Sequence, residues 1–194
     1  MDIFIGGGGD DLTWLGLGVV RQYATRHAAR TGRSTLYLPN ARPRRVRRAI
    51  ETAARQARPI NLIGHSWGAV DAFEAAAASL RGGLPIASLV TLDPVSGPLR
   101  RPSDWPGGAF WLNVTLAPPS PDYTDVLVHW RPFASKPSRL PIAAADKHVV
   151  LKRRHWDVEG MMRLSGARER LERAVAKPGR GPGAALETGQ SQSH

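Results

Sequence analysis

Four short β-prone runs, at residues 2–5, 34–38, 59–63 and 86–92, each stop at a chain-breaking residue: Gly6, Pro39, Gly64 and the pair Asp93-Pro94. The segments between them are long enough for helices of a dozen or more residues. Short apolar runs suit strands covered on both faces. Strands that alternate with helices along a chain build a parallel sheet packed between helical layers. The sequence therefore predicts an α/β chain, a three-layer sandwich around a mostly parallel sheet. Helix signals fill the gaps. Asp10 or Asp11 can cap a helix whose apolar face is Trp14, Leu15, Leu17, Val19, Val20 and Tyr23, and Gly32 ends it. Pro43 belongs in the first turn of a helix over 43–57, and the alanine-rich segment 67–81 closes at Gly82-Gly83.

The second half reads as strands at 109–116, 124–130 and 147–152, with a Pro- and Gly-rich loop at 96–108, an irregular stretch at 131–145, and an amphipathic helix over 157–176. Residues 177–194 have no apolar periodicity and read as a disordered basic and polar tail. One domain, 1–176, is expected, and 42% hydrophobic residues are enough to give it a core. No apolar run reaches the roughly 18 residues of a membrane span. Asp2 stands where a signal peptide would carry a basic residue, so cytoplasmic synthesis is expected, with export by a signal-independent route left open. The absence of cysteine excludes disulfides, a thiol nucleophile and thiolate metal sites.

The chemistry concentrates at Gly64-His65-Ser66-Trp67-Gly68. Gly-x-Ser-x-Gly would arise in roughly one shuffled chain of this composition in eight, so its placement decides its meaning. It directly follows the run Ile60–Ile63 and directly precedes a helix. That strand–turn–helix setting is what a nucleophile elbow requires, with glycines letting strand and helix approach and Ser66 Oγ held above the sheet. A serine hydroxyl needs an imidazole to take its proton, and the imidazole needs a carboxylate to fix its tautomer. Asp93 ends the next strand, on the edge where parallel sheets bind ligands. Asp122 and Asp125, after the strand that follows, are its competitors. His155, between the last strand and the last helix, is the favoured base, ahead of His148. His129 falls within an apparent strand and His194 in the tail.

Three segments, Ile5-Gly6-Gly7-Gly8-Gly9-Asp10, Gly64-His65-Ser66-Trp67-Gly68 and Leu92-Asp93-Pro94, resemble the α/β-hydrolase superfamily and its lipase and esterase branch. The resemblance runs from residue 2 to about 176. It implies a minimal α/β-hydrolase fold lacking the first strands, a Ser66–His155–Asp93 triad, and an oxyanion hole from backbone amides of Trp67 and of Gly7 or Gly8. The implied activity is cleavage of a carboxylic ester, with thioester or amide cleavage as alternatives for the same residues. The substrate would be a small-molecule or lipid ester, and no cofactor or metal is implied. Trp67, Trp105, Trp111 and Trp130 would suit an apolar acyl pocket.

Lys and Arg number 27 against 16 Asp and Glu, a net charge of +11, which attracts anionic partners. An anionic membrane surface is one expected partner. A non-catalytic scaffold that binds a partner or a membrane through its arginines is the rival reading. Nucleic acid is not suggested, because no aromatic residues interleave the basic run 42–48. A phosphate-binding role for Gly6–Gly9 is opposed by Asp10 and Asp11, which would repel phosphate.

Overall fold

The computed structural model describes residues 1–8, 10, 18–39, 43–56, 58–95, 109–117 and 145–173. The expected strand at 124–130, the tail, and the residues Trp14, Leu15, Leu17, Trp105, Trp130, Asp122, Asp125, His129 and His194 lie outside them.

Six strands form one sheet: β1 Asp2–Ile5, β2 Thr35–Leu38, β3 Ile60–His65, β4 Ile86–Leu92, β5 Phe110–Leu116 and β6 Lys147–Leu151. Their spatial order is β2-β1-β3-β4-β5-β6 and every pair is parallel, where the sequence predicted a mostly parallel sheet. Helices α1 (Val19–Thr31), α2 (Pro43–Arg55) and α3 (Trp67–Arg81) connect the first four strands. Side chains alternate across β1, so Ile3 and Ile5 enter one core while Phe4 enters the other. The first core takes Val46 and Ile50 of α2 and Phe73 and Ala76 of α3. The second takes Val20 and Tyr23 of α1 with Met161, Met162 and Leu171. Two cores on opposite faces of one sheet give the three layers.

The terminal helix differs from its prediction. Instead of one helix over 157–176 there are two, α4 (Val158–Leu164) and α5 (Ala167–Arg173). Ser165 closes the first, and Gly166, at φ 80°, takes the left-handed conformation that breaks the axis. Asp157 caps α4 by accepting from Gly160 N at 2.8 Å. Trp111 also departs from expectation. It is fully buried in the first core, 4.9 Å from the Phe73 ring, with Nε1 donating to Thr91 Oγ1 at 2.9 Å. It is a packing residue rather than a pocket wall.

The order β2-β1-β3 means the chain leaves β1 in one direction and later passes β1 in the other. Ligands settle in the crevice at the carboxyl ends of strands where such a reversal occurs. Here that crevice lies between the ends of β1 and β3, where Gly6 to Gly8 and Ser66 emerge.

Candidate active site

Ser66 joins β3 to α3 at φ 58° and ψ −123°. Among the described residues only Ser66 and Asp93 (φ 43°) are non-glycine residues with positive φ. Such conformations persist only where the surroundings hold them, and they gather at functional sites. The surroundings of Ser66 are tight. Its N–H donates to Leu92 O at 2.9 Å, and its carbonyl accepts from Ala69 N at 3.1 Å and Val95 N at 3.3 Å. A Cβ on Gly64 would strike the backbone of Gly68 and Ala69, and one on Gly68 would lie 2.5 Å from the carbonyl oxygens of Ile5 and Gly6. Both sides of that contact are backbone, so neither can yield. Gly68→Ala is expected to destabilise the protein by about 3 kcal/mol, the upper range of overpacking, seen as a lower urea midpoint.

The glycine loop presses on the same turn. A Cβ on Gly7 would sit 2.7 Å from Ser66 Cβ and 3.2 Å from Ser66 Oγ, and one on Gly8 would collide with the Trp67 ring. The loop is held by Asp10, which is fully buried. Its carboxylate accepts the Tyr37 hydroxyl and, through Oδ1, Val20 N at 3.2 Å. Asp10 therefore does serve the start of α1, but it reaches there from the glycine loop, since the N-cap position is Gly18.

Asp93 follows β4 directly. Its N–H donates to Val114 O at 2.7 Å, and its Oδ1 accepts from Leu116 N at 3.3 Å. Its Oδ2 meets His155 Nδ1 at 2.6 Å. His155 lies in the turn between β6 and α4, and its side chain is 3% exposed. Its other ring nitrogen, Nε2, is buried and has no hydrogen-bond partner. A buried polar atom left unbonded is costly, so a structure that tolerates one commonly reserves it for a substrate or reaction step. Ser66 Oγ does not bond it here, and catalytic hydrogen bonds often tighten only when substrate binds.

His148 is placed differently. It stands on β6 opposite Asn113, with its ring nitrogens at 3.0 Å from Asn113 Nδ2 and 3.2 Å from Thr115 Oγ1. Burial lowers its pKa. It completes a polar row with Thr91, whose hydroxyl donates to Asn113 Oδ1 at 2.6 Å.

His65, the residue before the serine, has no predicted role in the triad or the oxyanion hole. Its ring is fully buried and lies 4.5 Å from that of His155, and its Nε2–H donates to the His155 carbonyl at 2.8 Å. Burial, with His155 beside it, holds its pKa well below the ordinary imidazole value, so it stays a neutral donor. His65 is a positioning residue for the turn that carries His155. A histidine at the buried end of a strand, flanked by the serine, was the only signal available for it. Among the described residues no group of three His, Asp or Glu side chains is arranged to hold a metal ion.

Comparison with solved structures places this architecture. A Xanthomonas campestris protein assigned to the alpha/beta hydrolase superfamily matches at TM-score 0.53 and 19% identity, covering 90% of this chain and 98% of its own. An esterase from Pyrobaculum calidifontis matches at TM-score 0.54 and 12% identity, over 91% and 76%. The RedJ thioesterase of the prodiginine pathway in Streptomyces coelicolor matches at 0.50 and 14%, over 90% and 89%. Comparison with protein-family models finds no match, and comparison with curated proteins finds none. The chain has the α/β-hydrolase fold.

Proposed function

We propose that the protein is a serine hydrolase that cleaves carboxylic esters through an acyl-enzyme. The observation that carries this reading is the buried Asp93–His155 pair, whose Nε2 is unbonded and whose ring packs 4.5 Å from that of His65, the residue before Ser66. Ser66 Oγ attacks the ester carbonyl while His155 Nε2 takes its proton, and the Asp93 carboxylate stabilises the resulting imidazolium. The carbonyl oxygen becomes an oxyanion. The backbone amide of Trp67, at the start of α3, and those of the Gly7–Gly8 loop are its donors. Collapse breaks the ester C–O bond, and the alkoxide leaves with the proton from His155. Water then loses a proton to His155 and attacks the acyl group; the acyl–Oγ bond breaks, His155 returns the proton to Ser66 Oγ, and the acid is released. A thioester would meet the same groups, so paired oxyester and thioester substrates of one acyl chain would show which leaving group is preferred. An esterase and a thioesterase are both among the structural neighbours.

Labelling by a fluorophosphonate probe tests the assignment. Wild-type protein and His148→Ala are expected to label, whereas Ser66→Ala and His155→Ala are expected not to. A folded wild type that fails to label would overturn the hydrolase reading in favour of a non-catalytic scaffold. Loss of labelling with His148→Ala and not with His155→Ala would transfer the base to His148.

A further inference from the structure

Two basic runs, residues 44–48 and 152–154, are far apart in the chain, and the topology delivers both to one edge of the sheet. All six strands are parallel, so all end on the edge where Ser66 and Asp93 stand. Lys152, Arg153 and Arg154 follow β6 and lead into His155. Helix α2 starts five residues after the end of β2 and returns to the start of β3, so Arg44, Arg45, Arg47 and Arg48 occupy its half nearest that same edge. All seven are exposed. Arg47 pairs with Glu51 at 2.8 Å and Arg153 with Asp157 at 3.6 Å. Arg44, Arg45, Arg48, Lys152 and Arg154 meet no carboxylate among the described residues. On the α1, α4 and α5 side the pattern is mixed: Arg26, Arg30, Arg33 and Arg168 each reach one, while Arg163, Arg170 and Arg173 do not among the described residues.

The arrangement works against local stability. Cations at a helix N-terminus oppose the helix dipole, and the first turn of α2 contains no acidic residue to compensate. A local rule broken without a structural gain marks a functional feature. Its geometry also selects the partner. Helix α2 packs on α3 and on β3, three strands away from β6, so interstrand steps of about 4.8 Å set the clusters at least roughly 14 Å apart. That exceeds the Debye length of about 10 Å at 0.1 M salt, so one small anion cannot serve both. A partner with negative charge spread continuously over that span can.

We propose that the edge bearing Ser66 docks on an anionic lipid surface, with Arg44, Arg45 and Arg48 on one flank and Lys152 and Arg154 on the other. A bilayer fits the pattern because it offers charge at any spacing, and because these side chains are exposed rather than shaped into a pocket. The docking does not depend on catalysis. Its consequence, that the ester cleaved belongs to a lipid in that surface, rests on the proposed serine hydrolase activity.

The test is sedimentation of the full chain with vesicles of ether-linked phosphatidylglycerol and phosphatidylcholine in equal parts, which a hydrolase cannot degrade. Binding is expected to these vesicles and not to phosphatidylcholine alone. Joint replacement of Arg44, Arg45 and Arg48 by alanine should weaken partitioning by roughly tenfold or more, since each basic residue near an anionic surface adds to it. Lys152→Ala with Arg154→Ala should do the same. Arg55→Ala with Arg58→Ala, at the far end of α2 and at the start of β3, should change it by less than about twofold. Equal losses in that control pair would show attraction by net charge alone and overturn the oriented surface. So would absence of binding to the anionic vesicles, or preference for soluble polyglutamate over them. Hydrolysis of a short soluble ester by the Arg44/Arg45/Arg48 variant reports on the Ser66 site separately. Lost docking with unchanged hydrolysis upholds the surface, while docking by a wild type that hydrolyses nothing removes only the hydrolase reading.

Discussion

Asp93→Asn is expected to reduce turnover of a soluble ester by about 10⁴-fold while leaving the fold intact. The structure determines how the new amide would sit. Asp93 Oδ1 accepts from Leu116 N, so the asparagine keeps its oxygen on that side and turns its NH₂ toward His155. A donor facing Nδ1 forces Nδ1 to become an acceptor. The ring proton then moves to Nε2, which can no longer take the proton of Ser66. Asparagine is also among the residues that best tolerate positive φ, so the 43° backbone at this position is retained. Unfolding temperature should therefore match wild type to within a few degrees while kcat/KM collapses. A rate within tenfold of wild type would show that another carboxylate serves His155, with Asp122 and Asp125 the first to examine. Asp93→Ala separates tautomer from charge, because alanine presents no donor to Nδ1 and leaves the ring free to adopt either form.

What the sequence displayed and what it concealed follow from the range of the interactions. A strand buried on both faces is largely apolar, so β1, β3 and β4 stood out as runs bounded by Gly6, Gly64 and Asp93. The elbow was equally visible, because Gly64 and Gly68 are required by contacts within a few residues and with the adjacent strand. The split between α4 and α5 was not. The amphipathic pattern continues through Ser165 and Gly166, and only the left-handed conformation at Gly166 shows that the axis changes there. Trp111 was misplaced because a large aromatic suits a pocket and a core equally well, and what decides is its position on the inner face of β5.

The site divides in the same way. Ser66, Asp93 and His155 could be ordered along the chain because each sits at a strand end or just beyond one, and parallel topology gathers strand ends on one edge. The contacts that hold those residues span long separations. His65 reaches a carbonyl 90 positions away, and Asp10 joins Tyr37 across 27. A single sequence gives no indication of which distant polar residues will meet, and Asp2 is the clearest example. At the first strand it stood out only as an acid near the N-terminus, yet it organises the opposite edge of the sheet.

Asp2→Ala is expected to lower stability by about 3–5 kcal/mol, a large share of the 5–15 kcal/mol that holds a typical domain together. The Asp2 side chain is fully buried. It accepts from His27 Nε2 at 2.7 Å, from Arg33 Nε and Nη2 at 2.6 and 2.7 Å, and from Asn61 Nδ2 at 2.7 Å. Asn61 in turn accepts from Ser88 Oγ at 2.6 Å, which ties β1, β3 and β4 together at their starts. Removing the carboxylate takes the acceptor from the fully buried His27 imidazole and Asn61 amide and from the partly exposed Arg33 guanidinium, and unpaired buried donors are costlier than the pair was worth. For a chain of this size the loss corresponds to roughly 10 °C in unfolding temperature. The same residue sets a pH dependence. Burial alone would raise its pKa, but the hydrogen bonds from His27, Arg33 and Asn61 outweigh burial and hold it below the usual carboxylate value. A depressed native pKa means the carboxylate's contribution is complete above the unfolded value, about 3.9, and is lost as pH falls through the native one. Wild-type protein should therefore show a fall in urea midpoint below about pH 4 that Asp2→Asn, already weakened at neutral pH, shows to a smaller degree. Parallel acid profiles for the two would mean that other carboxylates govern the acid limit, and an Asp2→Ala protein as stable as wild type would mean the starts of the strands are held by the apolar cores alone.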